Sequence, residues 1–318
     1  MTFLKNFVRS LLICLLILVP LGAGLARTIS AQKHQAPVSR SQSTPSLTIK
    51  TEPNALVWLD EIRRGVTDTT GKLVLAKVSS LRHTLRVRAG GFKETSITWM
   101  PARGRQIAVR LIPTTDEAEL AFQQAEDARE KAKDDESRQQ AADLYRRALK
   151  LRPAYPAAQV GLARVLLDLN NYQDALAAID RARDSRPAYP EASAVEGRIY
   201  REMAFADEAI KSFQRAIREG RGFQPEAHVG LARVYEERGQ YEVSAGEFQI
   251  ALRQLSDSEP VIYQLLGAIY EKLEKYNEAV AAYEKYLQLA PNGSLAPAVR
   301  SIIDQLRRQA AGQQLNPQ

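Results

Sequence analysis

Two periods divide the chain. Between residues 46 and 113 apolar and polar positions alternate in short runs: Leu47-Thr48-Ile49, Ala55 to Leu59, Lys72 to Val78, Thr84 to Arg88, Ser96 to Trp99 and Ile107 to Leu111. Turns at Glu52-Pro53-Asn54, Asp60 to Gly65 and Gly90-Gly91 separate them. Short alternating runs between such turns predict a small antiparallel β-sandwich. In this phase Arg86, Arg88 and Arg110 point outward, so the sheet is expected to show solvent a basic face.

From residue 114 the period becomes helical and the sequence repeats itself. Ala141, Ala175 and Ala209 lie 34 residues apart, as do Tyr145, Ile179 and Phe213, and Ala148, Ala182 and Ala216. One inserted residue near Gly220-Arg221-Gly222 shifts the register to Ser244, Phe248 and Ala251, and a step of 35 reaches Ala279, Tyr283 and Tyr286. Pro156, Pro190, Pro225 and Pro260 mark first helical positions, where a missing N–H is harmless. A two-helix unit of this length predicts a stacked α-solenoid.

The repeated positions resemble the tetratricopeptide repeat. Leu162-Ala163 with Leu166, Glu196-Gly197 with Tyr200, Leu231-Ala232 with Tyr235 and Leu266-Gly267 with Tyr270 match its first helix. Four full units start near Pro156, Pro190, Pro225 and Pro260. An earlier unit, about 116–153, keeps its second helix but is expected to have an irregular first helix lengthened by Ala132 to Ser137. A helix from Ser294 to about Gln309 is expected to cap the array with Ile302, Ile303 and Leu306. Departures are Arg221 and Ser256 where proline is usual, Ser244 for alanine and Glu196 for an apolar residue.

Residues 46–113 resemble the PEGA domain family through Pro53-Asn54-Ala55, Val57 to Asp60, Gly65, Thr67, Leu85-Arg86-Val87, Gly91-Phe92 and Val109-Arg110-Leu111. A carboxypeptidase-regulatory-like sandwich is the near alternative, on Thr70-Gly71-Lys72-Leu73. Either resemblance implies a non-catalytic envelope module that contacts surface polymers or proteins.

Lys5 and Arg9 precede an apolar run from Leu11 to Val19 and a small-residue Gly24-Leu25-Ala26 exit. That is the pattern of a secretory signal cleaved after Ala26, or of a retained N-terminal anchor. Both export the rest of the chain. The expected organisation is therefore signal peptide or anchor (1–26), flexible linker (27–45), β-sandwich (46–113), repeat array (114–293), and capping helix with tail (294–318). The fold class is a small all-β sandwich followed by an all-α solenoid.

Composition narrows the chemistry. Among 318 residues there is one cysteine, Cys14, and three histidines, His34, His83 and His228. This excludes a disulfide framework and a cysteine-clustered metal site. The net charge of +7 divides into +5 over residues 1–45, +7 over 46–113 and −5 beyond. An acidic repeat array argues against nucleic acid as a partner. No phosphate loop, dinucleotide fingerprint or catalytic constellation stands out, and neither an enzyme nor a cofactor is expected.

Placing the repeats in register puts Arg164, Arg198 and Arg233 at equivalent positions on the inner face, with Ala268 ending the series. Two readings stand. The guanidiniums hold carboxylates of a partner, or each pairs with the acid four residues on, Asp168, Glu202 and Glu237. Val160, Val229 and Tyr263 are expected to add apolar contact to the same surface. The sequence thus reads as an exported protein-interaction scaffold binding a protein or peptide partner in the groove. The basic β module would contact an anionic envelope polymer or membrane surface. The alternative is a structural component of an envelope complex, assembled through solenoid self-association.

Overall fold

A computed structural model describes residues 46–315, apart from 61, 76, 77, 79–81, 101–104 and 256. The expected signal or anchor and the linker lie outside the described residues, as does Ser256. No described helix is long and apolar enough to cross a membrane.

The β module is built from nine short described strands: β1 (Leu47–Lys50), β2 (Leu56–Leu59), β3 (Ile62–Val66), β4 (Lys72–Leu75), β5 (His83–Arg88), β6 (Phe92–Lys93), β7 (Thr95–Trp99), β8 (Gln106–Ala108) and β9 (Ile112–Pro113). They form a sheet β4-β1-β8, a sheet β3-β2-β5-β7 and a two-stranded β6-β9. Leu47 and Ile49 from the first sheet bury against Val57, Leu59, Leu85 and Val87 from the second. The pairing is not wholly antiparallel, because β8 runs parallel to β1. A parallel pair needs a long crossover, and here the whole of the second sheet lies between the two strands in sequence.

Two turns are legible in the sequence only in part. Asn54 adopts a φ of 57°, a conformation asparagine tolerates. Buried Thr67 secures the same turn, accepting from the Ala55 amide at 2.8 Å and donating to the Glu52 carbonyl at 2.6 Å. The segment Asp60 to Gly65 is a turn only at its start. Asp60 has a φ of 54°, and Ile62–Val66 returns antiparallel to β2 with a register shift at Val57/Trp58. The adjacent charges of Arg63 and Arg64 conceal this strand's alternation.

Eleven described helices follow: α1 (Glu117–Lys131), α2 (Asp135–Leu151), α3 (Pro156–Asp168), α4 (Tyr172–Ser185), α5 (Pro190–Glu202), α6 (Ala206–Glu219), α7 (Pro225–Glu237), α8 (Tyr241–Gln254), α9 (Pro260–Lys272), α10 (Tyr276–Leu289) and α11 (Ala296–Leu315). Each predicted proline is the first helical residue of its unit. The first unit differs from expectation. Residues 132–134 break the helix rather than lengthening α1, and Asp134 caps α2 in a reciprocal box with Ser137. Ile303 and Leu306 of α11 bury against α10 residues Tyr283 and Tyr286.

Large rings on the second helices fill the spaces between small residues on the first helices. Gly161 lies against Tyr145 and Gly267 against Tyr283, while Phe213 is held between Gly197 and Gly230. A Cβ at Gly197 would stand 2.7 Å from the Phe213 ring, and one at Gly230 would overlap it. Gly230→Ala is therefore expected to destabilise by about 1–3 kcal/mol through overpacking. A lowered urea midpoint checks this.

Departures from the repeat pattern have local reasons. Buried Ser244 donates its hydroxyl to the Ala232 carbonyl at 2.8 Å. Glu196 accepts both Nη groups of Arg183, at 2.6 and 3.1 Å. Arg221 takes a φ of 55° in the turn that holds the inserted residue.

Candidate partner-binding groove

The outer face of the sheet β3-β2-β5-β7 is not open to water along β5, because helix α1 packs against it. In the antiparallel register Leu56 stands opposite Arg88 and Trp58 opposite both Arg86 and Arg63. These residues face away from the sandwich core and toward the helices. The Arg88 guanidinium lies 4.6 Å from the Phe122 ring centroid and 5.1 Å from that of Trp58, and Arg86 lies 4.4 Å from Trp58. Arg88 Nε donates to Glu94 at 2.7 Å and its Nη1 to Glu126 of α1 at 3.2 Å.

Gln123 of α1 accepts from the Gly91 amide at 2.9 Å and donates to the Phe92 carbonyl at 2.8 Å. Arg63 pairs with Glu130 at 2.6 Å. The expected solvent-facing basic surface is thereby corrected. Arg88 is buried and Arg86 half-buried, while Arg110 remains exposed. Strand alternation separates two faces but cannot tell solvent from a third packed layer.

Between this β wall and the first helices of the repeats runs a groove of about 690 Å³. Arg164 from α3, Arg198 from α5 and Arg233 from α7 all line it, as their register predicts. Val229 also lines it. Val160 does not, since it is 1% exposed inside the repeat core. Tyr263 is not among the lining residues; it packs between two repeat cores and donates to Asp257 at 3.2 Å. Val261, Ile262 and Leu265 supply apolar lining at that end.

The arginine series pairs across repeats rather than along each helix. Arg164 Nη2 reaches Glu191 and Glu226, each at 3.1 Å. Arg198 approaches Asp168 at 3.8 Å and Glu226 at 3.9 Å. Arg233 has no ion pair among the described residues, and Glu237 instead faces Arg201 at 3.7 Å. For Arg164 and Arg198 the expected partner four residues on is thus replaced by carboxylates of other repeats, and Arg233 pairs with no described carboxylate. A helical i,i+4 rule counts only neighbours on one helix, whereas stacking presents carboxylates from units before and after it.

Electrostatics make the arginines and their carboxylates interdependent. Burial by itself would raise the Glu226 pKa, yet Arg164 and Arg198 hold it below the usual carboxylate range. Glu126 is likewise lowered against the effect of burial, by Arg129, Arg88 and the Tyr145 hydroxyl. Burial would lower the Arg164 pKa, but Glu226 and Glu191 raise it overall. A carboxylate with a depressed folded pKa contributes stability that is present above its unfolded pKa and is lost as pH falls through the folded value. The urea midpoint is therefore expected to fall as pH drops from about 5, and Glu226→Gln to flatten that dependence. A midpoint independent of pH down to that of full carboxylate protonation would contradict this.

His83 and His228 are each tied to a carboxylate, His83 to Asp60 at 2.5 Å and His228 to Glu247 at 2.6 Å. Among the described residues, no group of three His, Cys, Asp or Glu side chains is placed to hold a metal ion.

Helix pairs stacked in one direction, with a continuous inner face lined by the first helix of each pair, define a helical solenoid of the protein-binding repeat class. Family models described as tetratricopeptide repeat match residues 132–199, 195–260 and 260–292, together about half of the chain. Similar solved structures include a thermophilic TPR protein, TTC0263, from Thermus thermophilus, with 22% identity over 59% of this chain and 98% of that one, at a TM-score of 0.50. Pseudomonas aeruginosa pilF is similar at 17% identity over 63% of this chain and 92% of its own, with a TM-score of 0.51. Among curated proteins none matches. This chain is a tetratricopeptide-repeat protein, and its repeats form a protein-interaction scaffold.

Proposed function

We propose that the protein is a non-catalytic adaptor of the bacterial cell envelope, which binds a segment of a partner protein in the groove of its repeats. The observation that carries this reading is the groove itself, with Arg198 and Arg233 presented from successive repeats. A preformed surface of this kind keeps the ordering needed on binding small. Export rests on the basic and apolar pattern of residues 1–26, and the envelope assignment on that pattern together with the PEGA-like residues of the β module. A direct role for the β module on anionic polymer or lipid is less well supported, because Arg86 and Arg88 turn toward the helices.

Site-specific photocrosslinking in the native cell tests the reading. A photoreactive residue at Ala157, in the groove, is expected to capture an envelope protein; one at Phe205, exposed on the repeats outside the groove lining, is not. Arg233→Ala should weaken that capture about tenfold, the scale of one charge-assisted hydrogen bond. Capture from Phe205 alone, or recovery of the protein in the cytoplasm, would overturn it.

A further inference from the structure

The groove has a second wall that the repeats do not supply. Leu56, Trp58, Arg63 and Arg86, all on the outer face of one β-sheet, line the same cavity as Arg198 and Arg233. Among the described residues lining it stand nine arginines against six carboxylates. Carboxylates outside the lining, Glu94, Asp168, Glu202 and Glu237, also pair with Arg86, Arg88, Arg198 and Arg201. The uncompensated positive charge of the cavity therefore lies on Arg186 and Arg233, which have no ion pair among the described residues. Apolar side chains from both walls, Leu56 on one and Val229 and Val261 on the other, lie between the charges. A cavity of this volume accommodates a ligand of a few residues.

We infer that the β module is one wall of the binding site, so that Trp58, Arg63 and Arg86 act with Arg198 and Arg233 on a single acidic segment of the partner protein. This inference rests on the proposed groove function and adds what the partner segment must be. It carries carboxylates, because an electropositive cleft concentrates and orients negative charge. Its apolar residues fill the space beside Leu56 and Val229. The β module then determines specificity, since a repeat groove without it would lack Trp58 and the arginines of β3 and β5.

The two tryptophans of the chain make this testable. Trp58 faces the groove, whereas Trp99 is buried and stacked on His83 within the sandwich. The probe is a short synthetic peptide of glutamate, aspartate, leucine and alanine. Its glutamine and asparagine counterpart and a lysine counterpart serve as controls. Adding the acidic probe to full-length protein is expected to change tryptophan emission. The change should persist in Trp99→Phe and disappear in Trp58→Phe, each with unchanged circular dichroism. In fluorescence anisotropy with labelled probe, Arg63→Ala and Arg233→Ala should each weaken binding about five- to tenfold at low salt.

If the probe binds and Arg233→Ala weakens it while Trp58 emission and the Arg63→Ala affinity stay unchanged, the β wall is overturned and the groove reading survives. Equal affinity for the neutral or lysine probe would overturn the acidic partner. Absence of binding by all three probes would overturn this inference, and the crosslinking experiment decides the groove reading separately.

Discussion

Arg88→Ala is expected to separate the β module from the repeats and to destabilise the protein by about 3 kcal/mol, the low end of what breaking a buried ion pair costs. Four losses combine. Glu94 and Glu126 lose a bonded cation, and the Phe122 and Trp58 rings lose the guanidinium packed against them. The low end applies because Glu126 retains Arg129 at 3.6 Å and the Tyr145 hydroxyl. Both tryptophans lie in the β module, so tryptophan fluorescence follows its unfolding while far-ultraviolet circular dichroism follows the helices. The two urea curves should coincide in the parent protein and separate in the variant. Arg88→Met, which keeps the apolar contact, should be less damaging than alanine. Coincident, unshifted curves in Arg88→Ala would show that the β module is held by other contacts.

Phe213→Ala should be at least as damaging, at about 3–5 kcal/mol for emptying a fully buried aromatic site. Two glycines face this ring, so no neighbouring side chain from those positions can fill the void. In a solenoid each unit depends mainly on its neighbours, and the damage should be local. Amide exchange should accelerate in α5, α6 and α7 while α1 and α2 remain protected. Uniform acceleration across all helices would mean that the array opens as one unit.

These two positions show what a sequence makes legible and what it hides. Phe213 recurs with Tyr145 and Ile179 at a fixed period and Gly197 holds a small-residue position of the repeat, so the core position follows from the repeat. Gly230, the second glycine against the ring, lies outside that pattern. The prolines at 156, 190, 225 and 260 give helix starts for the same local reason, since a missing N–H is tolerated only there. For Arg88, strand alternation gives the right phase and the wrong surroundings. Its side chain does leave the sandwich core, but the surface it meets is α1, where Glu126 lies 38 residues further along the chain. Val160 departs from expectation similarly, because a first helix packs against neighbours on more than one side and only part of it faces the groove. Register alone locates the arginines at 164, 198 and 233, while their partners Glu191 and Glu226 lie one and two units away and escape any local rule.

The strands show the same division. β5 and β7 alternate cleanly and are evident, whereas β3 is hidden because two successive arginines mask its period. That omission matters, since Arg63 on β3 reaches the groove. The β wall is invisible in the sequence because it depends on how sheet and helices pack, and no periodicity encodes that.

The groove between the β wall and the first helices is tested most directly by amide hydrogen exchange of the full-length protein, with and without a saturating acidic peptide. Added protection is expected in α3, α5 and α7 and in β2 and β3, with α4, α6 and α8 unchanged. Protection confined to α4, α6 and α8, or absent throughout under conditions where the peptide is bound, would contradict it.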